Sequence, residues 1–215
     1  MHEARAEAPR DCARCPRLVA YRAANQRAEP AWFNGPAPSF GDANARLLIV
    51  GLAPGRTGAN RTGRPFTGDY AGDLLYGTLT KFGFARGTYR ADPNDGFELV
   101  GAMITNCVRC APPENKPNPD EVARCRPFLQ ARIAALPDLK VIIALGLIAH
   151  ESVLRAHDLK PATAKFAHGA EAALPGGRTL LSSYHCSRYN TQTKRLTSEM
   201  FEAVFERANM LLSSA

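Results

Sequence analysis

The chain has 215 residues, 45% of them hydrophobic, a size and composition that suit one globular domain with a real core and leave little room for a second. Its 27 Lys and Arg against 20 Asp and Glu give a net charge of +7, which favours a polyanionic partner. No apolar run approaches the roughly 20 residues needed to span a bilayer, and the opening MHEARAEAPRDCARC is polar and acid-containing, unlike a secretory signal, so a cytoplasmic protein with no membrane partner is expected.

In chain order, the first feature is CxxC at Cys12 and Cys15, followed by an irregular stretch over 22–44. ARLLIVGLAP (45–54) is a continuous apolar run ending in Gly and Pro, the pattern of a strand buried on both faces. GDLLYGTLTKFGF follows with helical spacing, and 86–97 reads as a surface loop. ELVGAMITNCV is a second buried strand. NPDEVARCRPFLQARIAAL is a helix opened by Asn118, Pro119, Asp120 and Glu121, residue types that favour a helix N-terminus. LKVIIALGLIAH gives a third strand running into the helix IAHESVLRAHDL. GRTLLSSYH is the fourth strand, and TSEMFEAVFERANMLLSS closes the chain as an amphipathic helix capped by Thr197. Four strand–helix units predict an α/β fold: a single domain over 1–215, with a central four-stranded parallel sheet between two helical layers.

In such a sheet ligands bind beyond the carboxyl ends of the strands. Three unusual segments fall there: GLAPGRTGAN, TNCVRCAPPENKP and YHCSRYNTQTKRLT. The first lacks GxxxxGK[ST] and GxGxxG, so neither a nucleoside triphosphate nor a dinucleotide is indicated. It offers open backbone N–H groups at Gly51, Leu52, Ala53 and Gly55 around Pro54, which has none, with Asn60 close behind. Arg56, Arg61 and Arg64 suit phosphates, Phe66 suits stacking, and Asp69 is the lone acid.

Six cysteines in a cytosolic chain do not read as disulfides. Cys12/Cys15 and Cys107/Cys110 form two CxxC pairs and Cys125 follows, a set that suits a metal ion or cluster; spacing separates neither zinc from iron–sulfur nor Cys107 from Cys125 as the fourth ligand. Burial as a small hydrophobe accounts for Cys186, but Cys12 lies in a charged segment with no core to enter.

GLAPG…NRTGRPFTGD, NCVRCAPPENKPNPDEVARC and YHCSRYNTQTKRLT resemble the uracil-DNA glycosylase superfamily, specifically its iron–sulfur family 5, over nearly the whole chain. Family 4 carries an acid in its first motif where this chain has Leu52 or Ala53; the acid here is Asp69, in TGD. The resemblance implies a structural 4Fe-4S cluster on Cys12, Cys15, Cys110 and Cys125, and excision of uracil and some other deaminated or damaged bases from DNA. It implies catalytic roles for Asp69 and His185, a base pocket that includes Phe66 and Asn106, and DNA contacts from Arg56, Arg61, Arg188, Tyr189, Asn190 and Lys194. A monomer is expected. No lysine is placed as a Schiff-base nucleophile. Two other classes are a metal-stabilised nucleic-acid-binding or damage-sensing protein without hydrolytic activity and a hydrolase of free nucleosides or nucleotides, the latter having little use for Arg188, Lys194 and Arg195 beyond the pocket.

Overall fold

A computed structural model describes residues 6–213. Its helices are α1 (Pro16–Ala28), α2 (Ala59–Thr62), α3 (Tyr70–Lys81), α4 (Pro119–Ala134), α5 (Leu147–Ala156), α6 (Arg188–Gln192) and α7 (Ser198–Ser213). Its strands are β1 (Phe40–Gly41), β2 (Leu47–Gly51), β3 (Ala85–Arg86), β4 (Glu98–Leu99), β5 (Ala102–Asn106), β6 (Val141–Leu145), β7 (Glu171–Leu174) and β8 (Arg178–Ser183).

The main sheet has the order β1-β5-β2-β6-β8-β7. Its centre, β5-β2-β6-β8, is parallel throughout, as the apolar runs predict. Every residue of β2, β5 and β6 is buried, and the strand period sends alternate side chains to opposite layers. Leu47 and Ile49 pack with α3 and α7, whereas Leu48 and Val50 pack with α4 and α5. A third apolar cluster joins Leu18 of α1 to Val108, Cys125 and Phe128.

Two edge strands enlarge the expected four-stranded sheet to six, β1 and β7 both running antiparallel. β1 is two residues long, too short for alternation to register, and β7 (EAAL) lacks β-branched residues. Gly176 and Gly177, at φ 78° and 70°, turn β7 into β8. The irregular stretch expected from residue 22 begins later, because α1 runs to Ala28. ELVGAMITNCV divides at Gly101 (φ 61°): Glu98–Leu99 pairs with Ala85–Arg86 in a separate ribbon, and the buried strand starts at Ala102.

Local signals set the helix ends. Asp69 Oδ1 accepts the Gly72 N–H at 3.0 Å and opens α3, while Glu121 accepts the Asn118 N–H at 2.7 Å at the start of α4. Thr197 Oγ1 accepts the Met200 N–H at 3.2 Å and caps α7 as expected. The chain leaves β2 for β5 on one side and returns to β6 on the other, so a topological switch point lies at the carboxyl end of β2. No helix among the described residues is long and apolar enough to cross a membrane.

Candidate active site

A cavity of about 440 Å³ opens at that switch point. Its floor is the 52–57 loop after β2; Asn106 ends β5 on one side, and His185 and Arg188 follow β8 on the other. Phe66, Asp69 and Tyr70 close the wall at the start of α3. Three loops far apart in sequence thus meet because their parent strands are parallel and end at one edge.

Two glycines make room for the polar groups. A Cβ on Gly51 would lie 2.5 Å from Asn106 Oδ1 and 2.7 Å from the Phe66 ring, and one on Gly58 would lie 2.7 Å from Asp69 Oδ2. Gly51 does its work beneath the cavity rather than on its lining. Asp69 therefore has two jobs divided between its oxygens: Oδ1 caps α3, and Oδ2 is turned toward Gly55 and Gly58. Burial raises its carboxyl above the ordinary carboxylate range, against the lowering effect of the Gly72 and Ala71 N–H groups.

His185 stacks on Phe66, ring centroids 6.0 Å apart at 27°. Burial pushes its imidazole down to about 4, so it is neutral at physiological pH. No hydrogen bond from the described residues holds its ring, which leaves both nitrogens for a ligand. Phe66 holds its backbone at φ 55°, a left-handed conformation uncommon for a bulky side chain. The buried Arg64–Asp95 pair locks the segment beneath it: Nη1–Oδ1 2.8 Å, Nη2–Oδ2 2.9 Å, with Arg64 Nε on Thr67 Oγ1 at 2.7 Å. The expectation that Arg64 meets phosphate is thereby corrected, since its guanidinium is enclosed in protein. Asn106 is 3% exposed, and its Oδ1 is buried with no hydrogen-bond partner among the described residues. A buried orphan acceptor is costly unless a ligand completes it.

Away from this cavity, Cys12, Cys15, Cys110 and Cys125 line a second, narrow one walled by Leu18, Val108 and Phe128. Arg22 Nη1 donates to Cys110 Sγ at 3.5 Å and the Arg109 N–H donates to Cys125 Sγ at 3.3 Å. Burial raises the Cys110 thiol to about 12 and Cys125 to about 11. Cys107 points elsewhere, into the core beneath α4 and α5. Among the described residues no three His, Cys, Asp or Glu side chains close on a single metal ion.

The sequence model of the uracil DNA glycosylase superfamily matches residues 38–209. The chain belongs to that superfamily. It is similar to a type-5 uracil-DNA glycosylase of Thermus thermophilus, 48% identical over 206 residues that cover 93% of each chain. A type-5 uracil-DNA glycosylase of Pyrobaculum aerophilum is 41% identical over 92% of this chain and 88% of its own. A type-4 uracil-DNA glycosylase of the same organism is 38% identical over only 54% of this chain and 52% of its own.

Against this superfamily membership the remaining expected site residues divide. Leu52, Ala53, Pro54, Gly55, Arg56 and Arg188 line the cavity. Arg56 is held by Asn25 Oδ1 at 2.8 Å and lies over the Trp32 ring. Asn60 does not reach the cavity: it is 2% exposed and donates to Asn34 Oδ1 at 3.0 Å. Arg61 lies outside the lining, its Nε donating to the Thr57 carbonyl. Tyr189 is exposed beside Arg188, and Asn190 Nδ2 donates to the His185 carbonyl at 2.8 Å, bracing the histidine's backbone. Lys194 follows α6 at φ 56° and is not part of the lining. Sequence reasoning assigned no role to Asn115, which lines the cavity from a turn where it and Glu114 both have positive φ, 58° and 56°. Two adjacent non-glycine residues in that conformation follow from no spacing rule; PPEN gave only a loop signal.

Proposed function

We propose that the chain is a DNA-repair enzyme, a uracil-DNA glycosylase that hydrolyses the N-glycosidic bond of deoxyuridine and leaves an abasic site. The substrate nucleotide must leave the duplex stack, since an enzyme cannot reach a glycosidic bond inside it. Phe66 stacks on the extruded base. The observation that carries the assignment is Asn106 on the cavity wall, its Oδ1 buried with no hydrogen-bond partner among the described residues. Uracil presents N3–H between two carbonyls, so Oδ1 accepts from N3–H and the amide NH₂ donates to O4. Cytosine places an acceptor and an amine at those two positions and reverses the pattern.

Bond cleavage builds positive charge on the deoxyribose and negative charge on the departing uracil, as in other oxocarbenium-like sugar hydrolyses. Asp69, desolvated and with one oxygen turned to the cavity, stabilises the sugar cation and orients the attacking water. Neutral His185 donates one N–H to the uracil oxygen that takes up the charge, together with backbone N–H groups of the 52–55 loop. Among the described residues lining the cavity there is no lysine, which supports simple hydrolysis without a lyase step. Arg56, Arg61, Arg188, Asn190 and Lys194 supply contacts to DNA phosphates and the flanking strand, with Tyr189 beside them.

The four cysteines fit a 4Fe-4S cluster. They line one apolar cavity, and the Cys110 and Cys125 sulfurs accept N–H groups, as cluster thiolates do. Bound there, such a group would cross-link the Cys12–Cys15 segment to the Cys110 loop. The same junction is bonded by Arg17, which pairs with Glu121 at 2.7 Å and donates to the Lys116 carbonyl at 3.0 Å.

The test is incubation with an end-labelled duplex carrying one deoxyuridine. Strand breakage at that position only after alkali is expected. No alkali-sensitive site contradicts the activity, and breakage before alkali contradicts a monofunctional reaction.

A further inference from the structure

Six large hydrophobic side chains are notably exposed among the described residues, and they are not scattered evenly. Val100 lies just before β5, and Met210 is near the end of α7, by Leu212, whose carbonyl accepts from Arg46 ahead of β2; both are at the far end of the sheet from the cavity. The other four belong to segments at the carboxyl edge of the sheet, the edge at which the cavity opens. Tyr70 lines it, Tyr189 follows Arg188, and Leu147 and Ile148 begin α5 directly after β6. Leu147 is 51% exposed and Ile148 43%. They are neighbours of His185 through Gly146, whose N–H donates to the Ser183 carbonyl at 2.8 Å and whose Cβ position lies 3.7 Å from His185 Cβ. Gly146 has φ 99°, so the chain turns sharply there and presents the first two residues of α5 at the sheet's carboxyl edge.

The geometry points to Leu147 and Ile148 as an apolar foot that packs against the sugar and base faces of nucleotides flanking the extruded uridine. The inference rests on the glycosylase reading above. The occupant is DNA because the two side chains stand at the same carboxyl edge of the sheet as the opening that receives the base. The first turn of α5 carries no acid to repel a phosphate strand, and Arg188 borders the same opening. Exposing two branched apolar residues at a helix start has a use here, since removing a base from the stack leaves apolar faces uncovered. Proteins that distort DNA insert such side chains at the gap.

The expected result for the double variant Leu147→Ala/Ile148→Ala is a fall of about ten-fold in single-turnover kcat/KM on duplex DNA with one deoxyuridine. On a single-stranded trinucleotide with central deoxyuridine, which offers almost no flanking stack, the fall should shrink to about two-fold or less. Ile148→Glu separates contact from folding. An acid in the first turn of a helix is favourable, so its thermal midpoint should hold or rise while duplex affinity falls. Equal losses on both substrates, or a duplex rate within about two-fold of the parent, overturn the inference. If the parent releases no uracil from either substrate, the glycosylase reading falls and takes the foot with it; a normal parent with unimpaired variants removes the foot alone.

Discussion

Replacing Asp95 with Ala isolates the lock beneath the site. Arg64 is 4% exposed and its guanidinium is held by both Asp95 oxygens; Asp95 also accepts the N–H groups of Arg90 and Phe97 at 2.9 and 3.0 Å. Removing the acid leaves a buried, unpaired cation ringed by Phe40, Tyr76 and Tyr89, which costs about 3–5 kcal/mol. For a chain of this length, at about 2–4 °C per kcal/mol, the melting midpoint should drop by roughly 6–20 °C in a circular dichroism scan. Replacing both partners together, Arg64→Met with Asp95→Leu, should recover most of that loss, because no charge is then stranded. The pair also predicts acid sensitivity. Arg64 holds the folded Asp95 carboxyl far below the ordinary value near 3.9, so its stabilisation is complete above about pH 4 and is lost as pH falls further toward the folded value. A midpoint shift under about 2 °C for Asp95→Ala refutes the reasoning that this pair holds the 64–69 segment.

Three further outcomes follow from the same geometry. Gly58→Ala pushes a methyl group toward Asp69 Oδ2 and should lower the single-turnover rate by about 10²-fold with little change in the melting midpoint; a normal rate removes the carboxylate's position from the account. Because His185 is already neutral, its own titration should not lower the rate between pH 8 and about 5, so an acid fall belongs to the raised Asp69 carboxyl; a fall with an apparent midpoint near 6.5 that persists in Asp69→Asn contradicts the histidine's role as a neutral donor. Its folded value lies below the unfolded one, so the histidine's contribution to stability is present above about pH 6.5 and declines toward pH 4. If the proposed cluster is bound, Cys110→Ser should lose the iron–sulfur absorbance it would give whereas Cys107→Ser keeps it, and the reverse pattern reassigns the ligands.

The legible parts of the fold were those written as long apolar runs. β2 (LLIVG) and β6 (VIIAL) announced themselves because strands buried on both faces are continuous in Leu, Ile and Val; β5 (AMITN) and β8 (RTLLSS) carried shorter apolar runs, and parallel order then fixed which loops meet. β1 and β7 were not legible, being short edge strands whose pairing depends on neighbours far away in sequence. In the site, the Asp69 and His185 loops came together as the motifs implied. Arginines were the weak point. Arg56, Arg61 and Arg64 look alike as letters, yet one lines the cavity, one lies outside it and one is buried against an acid thirty-one residues on. Long-range charge pairing leaves no local pattern, and neither does the paired left-handed turn that brings Asn115 to the wall.

The central claim, that Asp69 acts on the sugar of an extruded deoxyuridine, is tested most directly by Asp69→Asn. The amide remains an acceptor for the Gly72 N–H, so α3 keeps its cap while the negative charge is gone. Free uracil released from a one-uridine duplex should be measured under single-turnover conditions, with DNA affinity in parallel. A loss of at least about 10²-fold in rate, at affinity near that of the parent, is the predicted result. Turnover close to that of the parent would contradict the account.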